Sequence, residues 1–297
     1  MKILVTGAGG FVGKRLVRKL ADDGHQVFAM VRADPAEKDG DYFLGPRVTM
    51  LRADLGALDC QALPAGLDAV YTLGQSSYFR DFPARAEEIY AVNVTANLKL
   101  LQWARQSGVR RFVHASSGGI YGGRLGAQFR ETDLLAVDSP LGFYLGTKLC
   151  SEVNFQNFRQ FFETAVTLRP FFIYGSGQRR DMFIARLVDS VRHGTPISLQ
   201  GSDGLRVNPI YVDDAVAAFA AALELRGCHV VNVAGPDTLT LRQVSEAIGR
   251  MLGKAPVFET RPGEPVDYVA DIEFARRELA LNPRSFADGM RQTIGAD

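Results

Sequence analysis

Cysteine is scarce in this 297-residue chain: Cys60, Cys150 and Cys228 stand far apart. Three thiols without metal-ligand spacing argue against a disulfide framework or a structural metal, and predict reduced cysteines. A charge bias is also missing. The 34 basic and 33 acidic residues leave a net charge of +1, which gives no electrostatic reason to expect nucleic acid or an anionic membrane as partner. No apolar run approaches the ~20 residues that a membrane span needs. No charged segment followed by an apolar one precedes the strand-like run Lys2–Thr6, so no secretion signal is expected and the cytoplasm is the expected location. Repeats and low-complexity tracts are absent. What remains is a chain with 46% apolar and 23% charged residues, enough for a sizeable core in one large α/β domain with a smaller lobe.

The apolar pattern predicts alternating strands and helices. Strands are expected at Ile3–Val5, Val27–Val31, Val48–Leu51, Ala69–Leu73, Arg111–Ala115 and Ala165–Leu168. Helices are expected at Phe11–Leu20, Ala86–Gln106 and Gly142–Phe162. This order implies βαβ units with right-handed crossovers, hence a doubly wound parallel sheet of Rossmann-like type. After Arg169 the pattern loosens, and glycines punctuate shorter elements. Residues 1–170 plus roughly 207–234 are assigned to the nucleotide-binding domain. Roughly 171–206 and 235–297 are assigned to a substrate lobe.

Thr6-Gly7-Ala8-Gly9-Gly10-Phe11-Val12-Gly13 follows the first strand and opens the first helix. Gly7 suits a tight turn, Gly10 lets backbone N–H groups approach a pyrophosphate, and Gly13 lets helix and strand pack closely. Phe11 and Val12 begin that helix. At the end of the second strand an acidic residue would hold a ribose 2′-hydroxyl; Arg32 stands there, a forked cation suited to a 2′-phosphate. NADP(H) is therefore the expected cofactor, with Asp34 keeping NAD(H) as the alternative. Asp54 and Leu55 are expected near the adenine.

Ser117 follows the fifth strand, and Tyr144 and Lys148 share one helical face at i,i+4. A carbonyl becoming an alcohol needs a proton donor, and the reverse needs a base. A phenol with a reference pKa near ~10 needs a nearby ammonium to serve as that base at neutral pH. Ser117 can donate to the substrate oxygen, so the set suits general acid–base work beside a nicotinamide.

These residues resemble the extended short-chain dehydrogenase/reductases, specifically the NAD-dependent epimerase/dehydratase family. The likeness extends to Asn93-Val94, Arg169-Pro170, Tyr174-Gly175, Tyr211-Val212-Asp213-Asp214, Asn232-Val233-Ala234-Gly235, Arg261-Pro262-Gly263-Glu264, Asp271 and Asn282-Pro283. The resemblance implies a seven-stranded nucleotide domain, a homodimer through two long helices, a supporting role for Asn93, and cofactor contacts at Leu73, Gly74 and Pro170. It also implies a diphosphate contact at Arg261 and a nucleotide-sugar substrate, with Gln75, Ser76, Phe172 and Arg206 as further substrate positions.

The sequence departs from that pattern in three places. Gly118-Gly119 stands where the family's dehydratases carry Asp-Glu, which disfavours 4,6-dehydration. Phe172 stands where many sugar-nucleotide members have Asn. Arg206 precedes by one residue the position, here Val207, where those members have Arg, and one residue along a strand turns a side chain to the other face. The expected activity is oxidation–reduction at C4 of a nucleotide sugar, by a 4-epimerase or 4-ketoreductase. The alternatives are an NADPH-dependent reductase of a non-nucleotide carbonyl compound and a non-catalytic dinucleotide-binding protein.

Overall fold

The computed structural model describes residues 1–34, 36–135 and 142–295. Its main sheet has seven strands. In chain order these are β1 (Lys2–Thr6), β2 (Gln26–Val31), β3 (Val48–Arg52), β4 (Ala69–Thr72), β5 (Arg111–Ala115), β6 (Thr164–Pro170) and the strand Gly227–Val233. They lie in the order Gly227–Val233, β6, β5, β4, β1, β2, β3, and β1 to β6 are parallel to their neighbours. Strands covered on both faces are apolar almost throughout, and all four residues of β4 are buried. Strand order reverses between β1 and β4, the place where such sheets open a crevice for ligands.

Two compact units divide the chain. The first contains Met1–Ile120, Val137–Arg169 and Val216–Val231, and the second Tyr121–Ala136, Pro170–Ala215 and Asn232–Asp297. In the first, Leu4, Val70, Phe112 and Ala165 from the sheet pack with Leu100, Leu101 and Phe155. Helices α1 (Phe11–Asp22), α2 (Ala86–Tyr90), α3 (Ala96–Gln106) and α4 (Gly142–Phe158) belong to it. The second is built on short strand pairs: Ile173–Tyr174 with Ile210–Tyr211, Arg206–Val207 with Leu239–Thr240, and Ile197–Gln200 with Phe258–Arg261. Its core gathers Tyr121, Phe129, Phe171, Ala270 and Ile272. Asp214, in the Tyr211–Asp214 motif, takes the Arg284 guanidinium at 3.0 Å and anchors the tail.

One expected helix is interrupted. Between α2 and α3, Ala91–Thr95 forms a π turn. The wider turn carries Asn93, a polar residue in a helix-favouring run, and buries it; such bulges recur at functional sites.

Glu152 of α4 and Arg169 of β6 form a bidentate ion pair, 0% and 3% exposed. It fastens the helix one turn beyond Lys148 to the sheet. Removing one partner strands a buried charge, so Glu152→Ala should destabilise the fold by about 3–5 kcal/mol, read as a lower denaturation midpoint. Replacing both residues with apolar side chains of similar size should recover most of that loss.

Candidate functional site

The glycine loop connects β1 to α1. Gly7 has φ 67°, a left-handed conformation that costs glycine little, and a Cβ there would lie 2.7 Å from Gly74 Cα. A Cβ on Gly13 would lie 2.1 Å from Gly7 O, so only glycine lets α1 start so close to the turn. Gly10 N–H donates to Gly7 O at 2.9 Å. Gly10 caps α1 without a side-chain bond, so the helix's first N–H groups keep the positive end of its dipole toward any anion. The exit of β4 closes on the same turn: Gly74 N–H donates to Thr6 Oγ1 at 3.3 Å. Leu55 packs so tightly on Gly74 that a Cβ there would meet Leu55 Cδ1 at 2.2 Å. Asp54 caps its own turn by accepting from Gly56 N–H at 2.9 Å. These residues fit a dinucleotide. The buried Ser116 hydroxyl at the β5 exit, which has no hydrogen-bond partner among the described residues, supplies a further polar group at that edge.

Ser117 and Leu145 both lie against Gly119. A Cβ on Gly119 would lie 3.4 Å from Ser117 Oγ and 2.8 Å from Leu145 Cδ2, the residue after Tyr144. Ser117 Oγ accepts from Gly119 N–H at 3.2 Å. The Tyr144 hydroxyl donates to Gln75 Oε1 at 2.8 Å, and Phe79 packs on its ring at 5.0 Å. Lys148 is buried, and its ammonium donates to Ala115 O at 3.0 Å. Burial lowers the Lys148 pKa to about 8 and pushes that of the Tyr144 phenol up. The expected relief of the phenol by the ammonium is not seen: Lys148 is turned to the strand end, and desolvation dominates the tyrosine.

Asn93 sits behind this set. Its Oδ1 accepts from Ser76 N–H and its Nδ2 donates to Thr147 Oγ1, both at 2.9 Å; Thr147 donates to Tyr144 O at 2.7 Å. Thr147 was not singled out from the sequence, although it lies between Tyr144 and Lys148 and faces inward with them. His114 was also missed, and its signal was a lone polar residue in the apolar run of β5. Asn97 Nδ2 donates to His114 Nδ1 at 3.0 Å, which makes Nδ1 an acceptor and leaves the proton on Nε2. Nε2 faces Ser151 Oγ at 3.2 Å, and Ser151 donates to Lys148 O at 2.9 Å. Burial, reinforced by Lys148, lowers the His114 pKa to about 3, so it stays a neutral spacer.

The remaining substrate positions, Phe172, Arg206 and Arg261, and the cofactor position Pro170 belong to the second unit. Phe172 has φ 42°, a strained conformation for an aromatic residue, and packs on Phe183 and Tyr268 at 5.0 and 6.0 Å. Arg206 holds the buried Asp267 with Nε at 2.9 Å and Nη2 at 2.8 Å. Arg261 pairs with Glu259 at 2.8 Å.

Comparison with known proteins gives four matches. The family model described as NAD dependent epimerase/dehydratase family matches residues 3–234. A Bacillus subtilis (strain 168) protein described as uncharacterized UDP-glucose epimerase YtcB is 29% identical, over 99% of this chain and 97% of its own length. Among solved structures, UDP-glucuronic acid 4-epimerase from Bacillus cereus, in complex with UDP-glucuronic acid and NAD, superposes with a TM-score of 0.87. It is 26% identical, over 100% of this chain and 98% of its own. MoeE5 in complex with UDP-glucose and NAD has a TM-score of 0.83 at 29% identity, with 100% and 98% covered.

The NADP(H) preference is thereby corrected: these neighbours hold NAD, and the matching family is NAD dependent. The physical reason lies at the ends of β2 and β3. A 2′-phosphate needs concentrated positive charge, but Arg52 is neutralised by Asp34, whose carboxylate would itself repel a phosphate. Arg32 is directed to Ser77 Oγ at 3.5 Å.

Proposed function

The chain belongs to the NAD dependent epimerase/dehydratase family, an enzyme of the extended short-chain dehydrogenase/reductase type, and we propose that it inverts C4 of a UDP-linked hexose or hexuronate. The observation that carries this reading is the placing of Lys148 and Ser117 at the β5 exit, with Tyr144, on the same face of α4 as Lys148, held by Gln75 after β4. Relatives described as UDP-glucose or UDP-glucuronic acid epimerases, or solved in complex with UDP-glucose, match nearly the whole chain and support this substrate class.

Gly7, Gly10 and Gly13 with Leu73 and Gly74 would hold NAD along the switch point, and Lys148 would hold its ribose. NAD supplies reversible oxidation at the sugar carbon. The chain's own groups manage the proton: Tyr144 takes it from the C4 hydroxyl and returns it, while Ser117 donates to the same oxygen. Asn93 and Thr147 fix the tyrosine's backbone. Gly118-Gly119 offers no carboxylate to remove water, which supports epimerisation over 4,6-dehydration. With NADP(H) withdrawn, the ground for a net 4-ketoreductase is also withdrawn, because an epimerase retains one NAD through each cycle.

A second reading, NADH-dependent reduction of a non-nucleotide carbonyl compound, is favoured by one observation. Both candidate diphosphate cations are already paired, Arg206 with Asp267 and Arg261 with Glu259. Incubation with UDP-glucuronate and with UDP-glucose, with products resolved by NMR, separates the two. Formation of the C4 epimer of either is expected, and no conversion of either would favour the second reading.

A further inference from the structure

We propose that Gln75 sets the proton affinity of Tyr144: by accepting the phenol's hydrogen bond it governs the pH at which this tyrosine can take a proton from substrate. The proposal rests on Tyr144 as the proton-transferring group.

The contact is built into the fold. Tyr144 is tied at both ends to one dipeptide, Gln75-Ser76. Its hydroxyl donates to Gln75 Oε1 at 2.8 Å. Its main-chain oxygen returns to Ser76 N–H through Thr147 and Asn93, by bonds of 2.7, 2.9 and 2.9 Å. Phe79, from the same segment, packs on the tyrosine ring at 5.0 Å, and Phe82 stacks on the adjacent Phe143 at 4.7 Å. A closed circuit of hydrogen bonds with two aromatic contacts holds the carboxamide and the phenol in register. The buried Asn93 within the π turn is what closes it.

An amide oxygen can accept from a phenol but repels a phenolate, so this contact favours the protonated form. Charged and titratable groups around Tyr144 do not replace it. Lys148 on the same helix is bonded to Ala115 O, and His114 on β5 is neutral. On the segment that carries Gln75, Arg80 lies over the Phe79 ring, and Tyr78 has the Arg85 guanidinium over its own ring. Asp81 donates its backbone N–H to Tyr78 O. Burial of the phenol acts in the same direction as the bond to Gln75 and raises its pKa.

The test uses NAD-loaded protein with Gln75→Ala and Gln75→Glu, read in two ways: the acid limb of kcat/KM toward UDP-glucuronate, and the tyrosinate absorbance of each protein minus that of its Tyr144→Phe counterpart. Gln75→Ala should move both downward by about half to one pH unit, the worth of one neutral hydrogen bond. Gln75→Glu should move both upward, because a carboxylate opposes the phenolate. An upward shift in Gln75→Ala would mean that the amide donates to the phenolate and would overturn the proposal, as would an unchanged titration in both variants. Shifted tyrosinate absorbance in a protein that converts no nucleotide sugar would sustain Gln75's role and refute the substrate assignment alone.

Discussion

Replacing Tyr144 with phenylalanine is expected to lower kcat for nucleotide-sugar epimerisation by about 10²- to 10⁴-fold, the usual worth of a positioned proton-transfer group. The substitution deletes one oxygen and leaves the ring against Phe79. The fold loses only the bond to Gln75, about 1 kcal/mol. NAD affinity should hold, because the glycine loop and Lys148 are untouched. The signature is therefore a fall in kcat with unchanged cofactor binding and a nearly unchanged melting temperature. Wild-type turnover in this variant would remove Tyr144 from the chemistry.

Lys148→Met should separate activity from stability. Turnover should fall by about 10²- to 10³-fold, as for loss of one preorganised donor at a reacting centre. The fold should become more stable at neutral pH. Burial lowers the lysine's pKa from 10.5 to about 8, worth about 3 kcal/mol at about 1.4 kcal/mol per pH unit. Losing the bond to Ala115 O returns about 1 kcal/mol, leaving a gain of about 2 kcal/mol. Below about pH 8 the lysine is charged in both folded and unfolded chains, and the folded protein carries the full cost of burying that charge. Between about pH 8 and 10.5 the folded protein releases the proton while the unfolded chain keeps it, so wild-type stability rises and the variant's advantage fades. Paired denaturation curves at pH 7 and pH 10 check this. A variant less stable than wild type at pH 7 would mean that burying the Lys148 charge does not cost the fold stability.

Much of this was legible because the informative residues are local. The inner strands announce themselves as apolar runs, since they are covered on both faces, whereas the edge strand β3 has no buried residue. The glycine loop is readable because turn, close approach and helix start fall within seven residues. What escaped depends on distant partners. Ala91–Thr95 reads as ordinary helix, and its π turn answers a demand from Ser76 and Thr147. Arg32 invited NADP(H) because it stands where an acidic residue would favour NAD, and the Asp34–Arg52 pair beside it was invisible: the β2–β3 register brings Arg52 opposite Val31 and so within reach of Asp34. Arg206 was expected to be turned from its usual task, and what holds it is Asp267, 61 residues later. Nothing local marks Phe172 as a residue with positive φ.

In the proposed reaction C4 is oxidised and re-reduced within one active site. The most direct measurement is epimerisation of UDP-glucuronate deuterated at C4, in ordinary water with one equivalent of NAD. A C4 epimer that keeps the deuterium at C4 is expected, with no net accumulation of NADH. Loss of deuterium to solvent, stoichiometric NADH formation, or a product lacking a hydroxyl would contradict this reaction.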